Sequence, residues 1–187
     1  MKKSTIVLLV IGVIILGIII FAISGYNSLV KMEEEVNSAF SNIDTNLQRR
    51  ADLIPNLVST VKGFASHETE VINSVTEARA KLAGASTVEE KANADSELTS
   101  ALNRLMIVVE NYPDLKSSEN FRQLADELAG TENRIAVARR DYNEMVKKYN
   151  SQRKKFPTNI LAGMFGFESK EYFEASDNAS EVPNVEF

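Results

Sequence analysis

His67 and Glu68 open the string H-E-x-x-H, in which two histidines one helical turn apart hold zinc and the glutamate serves as a base. Val71 takes the place of the second histidine, and the chain has no other His and no Cys. A histidine- or thiolate-based zinc set cannot be built from that inventory. His67 is therefore expected to be a solvated or hydrogen-bonded residue at a helix turn. Phosphate cradles and nucleophile elbows lack support too, because no G-x-x-x-x-G-K-S/T, G-x-G-x-x-G or G-x-S-x-G string occurs. Carboxylate pairs can do acid–base work, but nothing in the sequence implies a substrate pocket beside them. No catalytic residue, cofactor or metal is expected.

The polar groups that stand out are Arg50, Asp52, Glu132, Arg134 and Arg139. Arg50 falls where an apolar residue is due, and a buried charge left unpaired costs several kcal/mol, about 3–5. It needs an acidic partner, for which Asp52 and Glu132 are the candidates. Glu132 and Arg139 flank the apolar stripe of the last helix on one side, Arg134 and Asp141 on the other. Such positions form salt bridges that fix helix register. These residues are best read as a structural polar clamp rather than a ligand site. Asn27, Asn143 and Asn150 are expected to make polar contacts within the bundle.

Helices must position these groups. The 187 residues contain no Trp, four Pro and eight Gly, and the part after the first 25 residues is rich in Glu, Ala, Leu and Lys, which favour helix over sheet. Val36, Phe40, Ile43, Leu47 and then Arg50 step by four and three along one stripe. Ile54, Leu57, Val61 and Phe64 keep the beat, as do Val71, Val75, Ala78 and Leu82. Pro55 interrupts the run and leaves two readings, one long kinked helix or a hairpin turning near Asp52 to Pro55. Gly84-Ala85-Ser86 is a turn, Thr87 and Glu90 make a capping box, and Tyr112-Pro113-Asp114 ends the helix so begun. A last helix from about Ser117 or Ser118 carries Phe121, Leu124, Leu128, Thr131, Ile135, Ala138, Tyr142, Met145 and Tyr149 in heptad steps, unbroken at Gly130. A split at Pro55 yields four helices of comparable length, so the hairpin is the preferred reading, with the chain running up, down, up and down.

Ile6 to Ile23 is a run of eighteen residues without a charge. As a helix it spans about 27 Å, close to the hydrocarbon thickness of a bilayer. A cleaved signal peptide has a shorter apolar region, and Ala22-Ile23-Ser24 is a weak match to its cleavage site. The fold class expected is therefore all-α, one N-terminal transmembrane helix followed by an antiparallel four-helix bundle. Three segments follow: residues 1–25 as anchor, 26–155 as bundle, and 156–187 as a Phe-rich segment with an acidic, partly disordered tail from Glu174. Phe156 to Phe173 is expected to cap the open end of the bundle, with an interfacial membrane anchor as the alternative. Lys2 and Lys3 precede the apolar run while Lys31 alone follows it closely, which puts the N-terminus in the cytoplasm and the bundle outside. Gly12 and Gly17 are five apart, so the small-xxx-small pairing motif is absent.

The sequence resembles the LemA family of bacterial membrane proteins. The resemblance rests on Tyr26-Asn27, Leu29-Val30, Arg50 to Val58 (RADLIPNLV), His67-Glu68, Ala78-Arg79, Glu110-Asn111-Tyr112-Pro113, Thr131 to Ala136 (TENRIA), Tyr142-Asn143, Tyr149-Asn150 and Phe156-Pro157. It covers almost the whole chain and implies a single-pass, largely four-helical protein of no described biochemical activity. A formal charge of −5 argues against a nucleic-acid binder, which needs a positive field to displace counterions. The expected role is a non-enzymatic, membrane-anchored scaffold or adaptor of the cell envelope; the alternative is an accessory regulatory subunit of a membrane enzyme such as a protease. The partners expected are the lipid bilayer, through residues 5–25, and membrane or envelope proteins, a membrane peptidase and a second copy of the chain among them, but not nucleic acid.

Overall fold

The structure is a computed structural model that describes residues 3–174, with Lys3 and Thr5 described by backbone alone. Six helices and no strand occur among the described residues: α1 (Lys3–Phe64), α2 (Thr69–Gly84), α3 (Val88–Val109), α4 (Pro113–Ser117), α5 (Glu119–Lys154) and α6 (Thr158–Phe165). The chain forms two compact units, Met1–Ser38 with Glu144–Lys170, and Ala39–Asn143 with Glu171–Phe187. The acidic tail beyond Glu174 lies outside the described residues.

The second unit is the bundle. Its helices are the later part of α1, then α2, α3 and most of α5. Asp44 and Arg50 of α1 pair with Lys91 and Asp95 of α3 in the same order, so those two helices run in parallel. Phe40 and Arg50 meet Tyr142 and Glu132 in reverse order, so α5 runs antiparallel to α1. Lys81 and Glu97, 2.6 Å apart, tie α2 to α3 across a short turn. The order is thus up, down, up, down. Ile43, Leu47, Ile54, Leu57, Leu98, Leu105 and Ile135 fill the interior.

The hairpin expected near Asp52 to Pro55 does not form. Pro55 lies inside α1, which continues to Phe64, and the reversal comes at Ala65–Glu68. Heptad phase explains this outcome. Leu47, Arg50, Ile54, Leu57 and Val61 are all buried on one stripe that passes Pro55 without a shift, while Pro55 itself points to solvent. A proline inside a helix deprives the carbonyl four residues earlier of its donor. That carbonyl belongs to Ala51, and the Nε of Arg79 on α2 donates to it at 2.9 Å. A side chain from the next helix thus replaces the missing backbone bond.

The other boundaries follow local chemistry. Thr87 accepts from the Glu90 amide at 3.1 Å while the Glu90 carboxylate accepts from the Thr87 amide at 3.1 Å, a complete capping box. Ser118 Oγ accepts from the Phe121 amide and opens α5, which runs through Gly130 unbroken. His67 is exposed in the α1–α2 turn, and its neighbour Glu68 accepts a hydrogen bond from the Tyr112 hydroxyl at 2.8 Å.

In the first unit, the early part of α1 presents residues 6–21 to the exterior on every side, and it is long and apolar enough to cross a membrane. The end of α5 and α6 pack against α1 from Ala22 onward, where Leu29 is fully buried. Gly166, at φ 75°, ends α6 in the left-handed conformation that favours glycine.

Candidate functional site

Arg50 is 3% exposed within the bundle. It is buried because its stripe on α1 faces inward, and it is held there by acids from two other helices. Its Nη1 lies 2.6 Å from Asp95 Oδ1 on α3 and 2.7 Å from Glu132 Oε2 on α5. The first contact is a well-formed hydrogen bond. The second has the distance of an ion pair without hydrogen-bond geometry, so Glu132 Oε2 and the Arg50 Nε each lack a hydrogen-bond partner. One guanidinium therefore serves two carboxylates and links three helices. Arg79 on α2, bonded to the backbone of Ala51, adds the fourth.

The electrostatics of this cluster are asymmetric. Burial pushes the Asp95 carboxyl above its ordinary range; Arg50 pulls it down and Glu132 pushes it further up. The two acids differ in access to water. The Asp95 side chain is 4% exposed and that of Glu132 is 42% exposed. Glu132 can keep part of its hydration, whereas Asp95 has exchanged water for Arg50.

The remaining clamp candidates are placed elsewhere. Asp52, expected beside Arg50, sits on the exposed face of α1 and accepts from Gln48 Nε2 at 2.9 Å. Two residues along a helix are about 200° apart, so Arg50 and Asp52 cannot share a face. Arg134 is exposed and lines a shallow surface groove with Asn42, Val137 and Asp141. Arg139 stacks its guanidinium 5.3 Å over the ring of Phe173 and adds a weak positive field at Asp95. The partner that sequence reasoning missed is Asp95. Its signal was present: Asp95 precedes Leu98, Leu102, Leu105 and Val109 in the buried stripe of α3, an acid in an apolar register as Arg50 is a base in one.

Two asparagines of α5 hold the chain that follows α6. In the bundle unit Asn143 accepts from the Phe173 amide at 2.8 Å and donates to its carbonyl at 3.3 Å, beside the bond from the Tyr142 hydroxyl to the Glu171 carbonyl. Burial raises that hydroxyl to about 12. In the first unit Asn150 binds the amide and carbonyl of Lys170, at 3.0 and 2.8 Å. Each side-chain amide thus satisfies both polar groups of one extended residue. Asn27, expected among the bundle contacts, is exposed instead. Nearby, the buried hydroxyl of Tyr149 has no hydrogen-bond partner, and burial together with Glu33 raises it above its ordinary range.

Residues 39–187 match the family described as the LemA family. Among individual relatives, magnetosome protein MamQ 2 of Paramagnetospirillum magneticum (strain ATCC 700264 / AMB-1) is 32% identical over 175 residues, covering 80% of this chain and 64% of the relative. Magnetosome protein MamQ of Magnetospirillum gryphiswaldense is 29% identical over 86% of this chain and 70% of its own length. Protein LemA of Metamycoplasma hominis is 30% identical over 88% of this chain and 76% of its own. The chain thus spans just under two thirds of the length of the Paramagnetospirillum relatives. The chain is a membrane-associated helical protein.

Proposed function

Because this chain belongs to the LemA family, we propose that it is a non-enzymatic scaffold or adaptor of the bacterial cell envelope, anchored by residues 6–23 and presenting its bundle to other proteins. The observation that carries this reading is the continuity of α1. One helix includes both the apolar run exposed on every side and the inward stripe of the bundle, so the anchor and the presenting domain share a backbone. The polar interior supports a structural role. Arg50 and Asp95 are enclosed beyond the reach of a substrate and are committed to each other. Lys2 and Lys3 favour a cytoplasmic N-terminus with the bundle on the other side of the membrane.

Partners of such a scaffold belong among membrane and envelope proteins, a membrane peptidase and a second copy of the chain included. A photo-crosslinking residue at Val137, half-exposed in the α1–α5 groove, tests this in native membranes. Discrete crosslinked species are expected, and protease protection of tags at each terminus reports sidedness. A chain that forms no crosslinked species from any exposed bundle position, and that purifies in detergent as a partner-free monomer, contradicts the scaffold reading.

A further inference from the structure

Exposed apolar side chains on the bundle helices are scattered, as on any protein surface. The segment around α6 differs. The helix TNILAGMF carries no charge; its polar residues are the buried Thr158 and the exposed Asn159 in its first turn, and from Ile160 onward it is apolar on both faces. Its inner face, with Thr158, Leu161 and Ala162, is buried within the first unit, and Phe165 meets Tyr26 edge-on at 4.9 Å. Ile160 and Met164 point the opposite way, 53% and 73% exposed, and Phe156 in the preceding turn is 81% exposed. An uncharged helix that is apolar on both faces past its first turn belongs in a core or against lipid.

The height of α6 along α1 says which. A Cβ on Gly25 would come within 2.6 Å of Leu161 Cδ1, so α6 lies hard against α1 at that residue. Gly25 follows Ile23, the end of the apolar run, by two residues, or about 3 Å of helix. Tyr26, ringed by Phe165 and Phe167, stands where aromatic residues collect at membrane boundaries. Arg153, Lys154 and Lys155 precede Phe156 and supply a cationic flank for anionic headgroups.

We propose that the outer surface formed by Phe156, Ile160 and Met164 inserts into the headgroup boundary of the same bilayer that holds residues 6–23. The segment 156–165 is then a second, interfacial membrane contact. Three side chains make a weak lipid ligand on their own, but α1 already holds them at the interface, so the effective concentration is high. The inference rests on the anchored reading above and would fail with it.

The chain has no Trp, so single tryptophans report cleanly. The full chain carrying Phe156→Trp, and separately Ile14→Trp, is reconstituted in phosphatidylcholine–phosphatidylglycerol vesicles whose acyl chains bear bromine. Phe156 is mostly solvent-facing, so its replacement leaves the packing intact. The indole at 156 is expected to emit to the blue of its position in denaturant and to lose roughly half its intensity to bromine. Adding Ile160→Ser and Met164→Ser should remove most of that quenching and leave the indole at 14 quenched. An indole at 156 that escapes quenching while that at 14 is quenched overturns the interfacial contact and spares the anchor. A blue-shifted but unquenched indole at 156 means that protein, another chain or a second copy, covers this face, and also overturns it. Loss of quenching at both positions overturns the anchor as well.

Discussion

Pro55 and Arg79 show how a single defect in a helix can fix its neighbour. The Ala51 carbonyl loses its backbone donor to the proline ring and recovers one from Arg79. A buried acceptor left without a donor costs about 1–3 kcal/mol. Arg79→Met should therefore destabilise the bundle by about 1 kcal/mol or more. In a Pro55→Ala background the new amide can serve Ala51, and the same substitution should cost only a few tenths of a kcal/mol, roughly the noise of additive sites. Denaturant unfolding of the four proteins in detergent measures the cycle; equal costs in both backgrounds refute the compensation. Asp95 offers a second test. The folded protein binds the Asp95 proton more tightly than the unfolded chain does, because burial dominates over Arg50. Its contribution is therefore full below the ordinary carboxylate value and is lost as pH rises through the raised one. The stability of the native protein minus that of Asp95→Asn should fall with rising pH across that window. A difference that rises instead would show that the attraction to Arg50 outweighs desolvation.

Among the elements, α1 teaches most about what the residue pattern carries. The four bundle helices, the Thr87–Glu90 box, the start of α5 and its passage through Gly130 could all be read from periodicity and capping residues, because these are local properties. The extent of α1 differs from the expected hairpin because heptad phase, and not proline grammar or helix-length matching, sets where the helix ends. The stripe Leu47, Arg50, Ile54, Leu57, Val61 holds a constant register across Pro55, and a real hairpin would reset it. The Arg50–Glu132 contact is legible for the same reason, whereas Asp52 lies about 200° around the helix from Arg50 and the second partner, Asp95, sits in the stripe of α3. The clips made by Asn143 and Asn150 were beyond reach, since no periodic signal says which extended residue returns to a helix. Close packing also yields a prediction at this scale. Gly25→Val should displace Leu161 and loosen α6 from α1, seen as faster amide exchange over residues 158–165. Leu161→Ala should restore protection in part; unchanged exchange in Gly25→Val contradicts the close approach.

At the scale of the whole molecule, the environment of residues 6–23 decides the account. Eighteen uncharged residues exposed on a helix would be an aggregation liability in water and are at home in lipid. The bundle, by contrast, buries its own stripes and pairs its central arginine with Asp95 and Glu132 from its own helices. Extraction of native membranes with alkaline carbonate, which strips peripheral proteins, separates the two possibilities. The full-length chain should remain in the membrane pellet and be released only by detergent. Recovery of the intact chain, still carrying residues 1–25, in the aqueous supernatant would contradict the anchor and with it the scaffold built upon it.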